Sequence, residues 1–256
     1  MGAMFALACL TVLQAFGTYT TNFPSSENPI SEGGKWINGK AAGLDWSNVS
    51  TTPGLAFGTQ TGSGGYNDSL AVMQGTWGPD QTASGTVHSV NQVGGVVYEE
   101  VEILLRFSIT PHVARGYEIN FRAINSSESY NEIVRWNGPL GSFTYLDRRA
   151  GSVAGIRSGD VVKATIVGNT ITSYINGVAK FSVTDSTFPT GNPGMGFFLD
   201  GASGVNSNYG FTNFTATDGG AQPPSAPKNL RVVSLLAPWS LDPFIAGYPG
   251  PGRPSH

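Results

Sequence analysis

Hydrophobic and polar residues alternate with a period of two along most of this chain, and no helical period survives for three turns anywhere. Two runs carry the alternation furthest. From Tyr98 to Ile109, Val101, Ile103, Leu105 and Phe107 fall on one face, with Glu100, Glu102, Leu104 and Arg106 on the other. From Gly116 to Ile124, Tyr117, Ile119 and Phe121 oppose Glu118, Asn120 and Arg122. Between Ser158 and Phe188 three shorter strands are predicted, with turns at Gly168-Asn169 and Asn176-Gly177. An Asn-Gly pair between β-branched runs is a strong hairpin signal, because both central positions of a type I′ turn need positive φ. A meander of this kind, in a chain punctuated by Gly-Gly, Pro-Gly and Asn-Pro-Gly, predicts an all-β protein of antiparallel sheets, a β-sandwich or a barrel. In a sandwich the oily faces of two sheets meet, and a polar face left outward can form a concave groove.

Composition narrows the class. Of 256 residues, 35 are Gly, 16 are Pro and only 12% are charged, a loop-rich makeup that suits an extracellular module. A formal charge of −3 supplies no basic field, so nucleic acid is not expected as a partner. Residues 1–17 form an apolar run ending in Ala15-Phe16-Gly17, the length of a signal peptide and too short to span a bilayer; secretion or surface display is expected, and membrane insertion is not. The single cysteine, Cys9, lies in that run, so no disulfide is expected in the remainder. Residues 18–218 read as one β-domain and residues 219–227 as a Pro/Gly linker. Within residues 228–256, together with the end of that linker, Pro223 to Ser234 resembles the first strand of a fibronectin type III domain, ahead of an irregular tail. The composition leaves oligomeric state open.

The meander, the two amphipathic strands, the Arg115–Arg122 segment, the Gly-Asp-Val-Val-Lys start at Gly159, the Tyr-Ile-Asn-Gly turn at Tyr174, the Gly194–Leu199 strand and the closing Tyr209–Thr215 strand together resemble the concanavalin A-like lectin/glucanase jelly roll, over roughly residues 19–218. The resemblance implies a two-sheet antiparallel jelly roll and carbohydrate as the shared substrate class. It spans lectin-type binding domains, glucanases and polysaccharide lyases, so it does not select an activity.

Three chemistries compete for the polar faces. Glu100 and Glu102 stand at i and i+2, a spacing that brings carboxylates near the roughly 5–5.5 Å of a retaining glycosidase, with Glu118 on the next strand. The Glu-x-Asp-x-x-Glu pattern of laminarinase-type jelly rolls is not reproduced in Glu100-Val-Glu-Ile-Leu-Leu105. The structural alternative pairs these glutamates with Arg106 and Arg122 across strands. A polysaccharide lyase would draw on His88, His112, Tyr117, Tyr145, Asn120 and Arg122, without the Gln-x-His motif of alginate-lyase jelly rolls. Binding without catalysis would use Trp136, Tyr145 and Trp77 as stacking faces, with Asn120, Arg122 and Arg148 for hydroxyls; burial in the core is the competing reading for the tryptophans. No cofactor is expected beyond a structural calcium, for which Asp200 and Asp218 are the candidates, both also ordinary turn residues. The combined expectation is a secreted glycan-binding or adhesion module of a larger protein. A glycoside hydrolase or polysaccharide lyase on the same fold is the alternative, and a structural part of a surface assembly the third reading. A deep groove joining Glu102, Glu118 or Arg122 to an aromatic face favours the enzyme; a flat, charge-paired face favours binding or structure.

Overall fold

The computed structural model describes residues 17–219. The expected leader, the linker beyond Gly219 and the fibronectin-like segment lie outside the described residues. Fifteen strands follow one another: β1 (Thr18–Thr21), β2 (Trp36–Asn38), β3 (Ser50–Thr52), β4 (Leu55–Phe57), β5 (Ser69–Met73), β6 (Gln81–Ser89), β7 (Tyr98–Thr110), β8 (Val113–Arg122), β9 (Tyr130–Gly138), β10 (Phe143–Ala150), β11 (Val161–Val167), β12 (Thr170–Ile175), β13 (Val178–Thr184), β14 (Asn192–Asp200) and β15 (Tyr209–Thr217). The helical elements among the described residues are three single 3₁₀ turns, and no helix there is long and apolar enough to cross a membrane.

The strands form two antiparallel sheets. One runs β13-β12-β11-β6-β15-β4-β3, with β1 also paired to β15; the other runs β10-β9-β8-β7-β14-β5-β2. The predicted meander is β11-β12-β13, and its second turn holds Asn176 and Gly177 at φ 51° and 77°, as the Asn-Gly signal requires. The main core lies between the sheets: Val101, Ile103, Leu105, Tyr117, Ile119 and Phe121 from the second sheet meet Val87, Val162, Ile166, Phe211 and Phe214 from the first.

One expectation about β7 is overturned. Phe107 does not share the face of Leu105 but joins Leu104 in a second apolar cluster, with Leu44, Trp46, Leu70, Val72 and Trp136, on the far side of the seven-stranded sheet. The cause is a bulge between Leu105 and Ser108, with Arg106 at φ 45°, which inverts side-chain parity along the rest of the strand. Gly116 and Gly191 make the bulge possible: a Cβ at either would lie 2.6 Å and 2.2 Å from the backbone of Phe107 and Arg106 respectively. Arg106 in turn is buried, donating to the carbonyls of Pro79, Gly168 and Phe188 at 2.6, 2.6 and 3.2 Å.

Candidate functional site: an acidic pocket with an aromatic rim

The outward face of the seven-stranded sheet is divided. One end is the apolar cluster around Leu104 and Phe107; the other is acidic, and the strand register shows why. Glu102 on β7 pairs with Asn120 on β8, Asn120 with Glu132 on β9, and Glu132 with Arg148 on β10, so one cross-strand row reads Glu-Asn-Glu-Arg on a single face. The neighbouring row holds Leu104, Glu118, Val134 and Tyr145. On the other side of β7, Glu102 faces Gly196 of β14, whose missing side chain leaves room for the carboxylate: a Cβ there would stand 2.0 Å from Glu102 Oε2. Asp68, just before β5, closes the floor.

These groups line a pocket of about 240 Å³, walled by Tyr66, Tyr98, Tyr130, Trp136, Phe143, Tyr145 and Phe198. Phe143 is the hinge of the aromatic rim, with ring centroids 5.1 Å from Tyr66, 5.1 Å from Trp136 and 5.2 Å from Tyr145. Tyr66 and Tyr145 are 51% and 58% exposed, so both offer ring surface to a ligand, whereas Trp136 is buried against Trp46.

The floor is nearly free of positive charge. Trp136 Nε1 donates to Glu118 Oε2 at 2.6 Å, Tyr130 Oη donates to Glu100 Oε1, and Arg148 pairs with Glu132 at 3.1 Å. Among the described residues neither oxygen of Glu102 has a hydrogen-bond partner, and Oδ1 of Asn120 has none either. Burial dominates the electrostatics, with neighbouring carboxylates adding to it. It pushes Glu100 up to about 8 and Glu118 up to about 7, and raises Asp68, Glu102 and Glu132 above the usual carboxylate range.

The structure brings together Glu100, Glu102, Glu118, Asn120, Trp136, Tyr145 and Arg148 from the sequence-derived candidates. The expected cross-strand charge pairs do not form. Arg106 faces Asp80 and backbone carbonyls, and Arg122 pairs with Glu128 at 3.6 Å and donates to the carbonyls of Gly95 and Val97. Arg122 lies behind the pocket wall, 4.4 Å over the Tyr98 ring, and is not among the lining residues. Trp77 packs against the main core, and its Nε1 donates to the Gln74 carbonyl, away from the pocket. Of the lyase candidates, Tyr117 is buried in the core and His112 sits in an exposed pair with Asp45. Asp218 accepts from the backbone N–H of Gly17 and of Gly78, and Asp200 from that of Gly201, which makes both backbone ties near loop ends. Tyr130, which precedes Trp136 on the same strand and belongs to the sequence-derived aromatic set, lines the pocket too, whereas sequence reasoning missed Glu132, Tyr66, Phe143 and Asp68. The alternation Tyr130, Glu132, Val134, Trp136 along β9 carries the signal for Glu132, while the position of Asp68 follows only from the non-local pairing of β5 with β14.

No family model matches the sequence, and no curated protein does. Solved structures resemble it in fold. The carbohydrate recognition domain of Emp46p in its potassium-bound form superposes with a TM-score of 0.52 at 12% identity, over 78% of this chain and 95% of that one. The CBM2 module of the evolved Dit of Lactobacillus casei BL23 phage J-1 gives 0.50 at 11% identity, over 81% and 97%. The chain thus shares its two-sheet antiparallel sandwich fold, at a distance, with a carbohydrate recognition domain and a carbohydrate-binding module.

Proposed function

We propose that this protein is a secreted glycan-binding module and that the acidic pocket is its binding site. One observation carries the reading: exposed ring faces of Tyr66 and Tyr145 stand at the mouth of a pocket floored by carboxyl and amide groups. Sugar rings present apolar C–H faces that stack on aromatics and hydroxyls that bond to carboxyls and amides, so the two surfaces complement one ligand class. The size suits a single sugar unit held at its edge or end. The likeness to a carbohydrate recognition domain and a carbohydrate-binding module is consistent with this and adds the fold alone.

Hydrolysis is the second reading, favoured by the approach of Glu102 and Glu118, whose carboxylate oxygens come within 4.8 Å of each other, and by the aromatic pocket that joins them. Against it, the Glu102 oxygens are fully enclosed, and a nucleophile must touch the sugar. A polysaccharide panel scored for retention and for release of reducing or unsaturated ends separates the readings. Retention without product is expected, weakened about tenfold by Tyr145→Ala. Product release that disappears in Glu102→Gln would transfer the site to catalysis, and absence of retention on every glycan would leave the domain a structural part.

A further inference from the structure

The floor of the pocket gathers oxygen atoms from three separate elements. Asp68 precedes β5, Glu102 is on β7 and Glu118 on β8, and one carboxylate oxygen of each lies within 4.8 Å of the others. All three residues are buried, at 4%, 1% and 4% exposure. Proximity of acids alone says little, but two further facts point to a missing partner. Both oxygens of Glu102 are enclosed with no hydrogen-bond donor among the described residues, and Oδ1 of Asn120, the cross-strand neighbour of Glu102 and itself 6% exposed, is likewise without one there. Three carboxylate oxygens therefore converge, and Glu118, which accepts from Trp136 Nε1 at 2.6 Å and Asn120 Nδ2 at 3.3 Å, is the one of the triad with neutral donors of its own. The arginines nearby are engaged elsewhere, Arg148 with Glu132, and Arg122 with Glu128 and two carbonyls. Gly196 holds this arrangement open, since a side chain there would displace Glu102. Burying a carboxylate with no partner, as Glu102 is, costs several kcal/mol, and a cation among these oxygens would supply that partner.

We propose that Asp68, Glu102 and Glu118, with the side-chain oxygen of Asn120, bind one divalent, oxygen-preferring cation of the size of calcium. Calcium takes its ligands at about 2.3–2.6 Å, so oxygens on opposite sides of one ion stand roughly 4.6–5.2 Å apart. The three carboxylate oxygens fit inside that span. Four protein oxygens leave two or more of the six to eight positions calcium fills, and these face the pocket, where water occupies them. The site is distinct from Asp200 and Asp218, whose carboxylates are engaged by backbone N–H groups.

The test uses the whole protein, stripped with a chelator and titrated with CaCl₂ by calorimetry and by thermal unfolding at constant ionic strength. One ion per chain is expected, with a dissociation constant between micromolar and millimolar and a midpoint rise of about 5–10 °C at a hundredfold excess over that constant. Glu102→Gln and Asp68→Asn should each abolish the calcium response while unfolding close to the temperature of the stripped wild type, because each replaces a buried acid with a neutral group of the same shape. Asp200→Asn should bind as wild type does. No heat and no midpoint shift at about 10 mM CaCl₂, roughly tenfold above the weak end of protein calcium sites, would overturn the proposal. So would calcium binding of unchanged strength in Glu102→Gln. Ion binding is read without any sugar present, so its failure is separable from failure of the glycan reading.

Discussion

Glu100→Gln should stabilise this protein in alkaline buffer and leave it nearly unchanged in acid. Glu100 is buried, its one resolved hydrogen bond comes from the Tyr130 hydroxyl, and burial raises it from 4.5 to about 8. In the unfolded chain it ionises near 4.5, so between that pH and about 8 the folded state holds a proton that the unfolded state has released. Stability is therefore complete below about pH 4.5 and is lost as pH rises through about 8. At ~1.36 kcal/mol per pH unit the full span corresponds to roughly 4–5 kcal/mol. Glutamine keeps an oxygen that Tyr130 can donate to and does not titrate. Urea unfolding followed by tryptophan fluorescence, with chelator present, should show the two proteins within ~1 kcal/mol of each other at pH 4.5 and the variant ahead by ~4 kcal/mol at pH 8.5. A difference that is the same at both pH values, or a variant weaker than wild type at pH 8.5, would refute the assignment of a buried, protonated Glu100.

Two structural predictions accompany those made for glycan retention and calcium. Gly196→Ala places a methyl 2.0 Å from Glu102 Oε2 and should cost ~1–3 kcal/mol in thermal unfolding and at least tenfold in calcium affinity; wild-type binding would show that the Glu102 carboxylate is not where the ion sits. Arg106→Ala leaves the carbonyls of Pro79, Gly168 and Phe188 without their donor and should lower urea stability by ~3 kcal/mol or more, and a loss under 1 kcal/mol would show that the bulge holds without it.

The fold was legible because its signals are local. Alternation placed β8 and β11–β13, and the Asn176-Gly177 turn was readable as a pair of residues. Glu100, Glu102, Glu118 and Asn120 could be assigned to one polar face from parity alone, since each strand carries its own period. What parity cannot supply is the neighbour. Arg122 has the right parity and stands opposite Glu100, yet its long side chain turns to the carbonyls of Gly95 and Val97 and to Glu128, a choice made by a loop remote from the pattern. Phe107 shows the opposite limit: the alternation there is unbroken as text, and a bulge recorded only in the glycines at 116 and 191 reverses it. Asp68 entered the site through strand order, and Trp77 left it through packing, neither of which a window of adjacent residues contains.

The bulge at Arg106 has a bearing on how this strand can change over time. Residues ahead of it, Glu100 and Glu102, and residues behind it, Phe107 onward, hold their facing by separate registers joined at one irregular step. A one-residue insertion or deletion before the step would turn the acidic side chains into the sandwich and bring Val101 and Ile103 out to the pocket. The same event at the step could be taken up there, by making or erasing the irregularity, at the expense of the apolar end alone. Length variation along β7 is thus confined to one place, and the acidic row can be inherited intact while the surface beyond the bulge diverges.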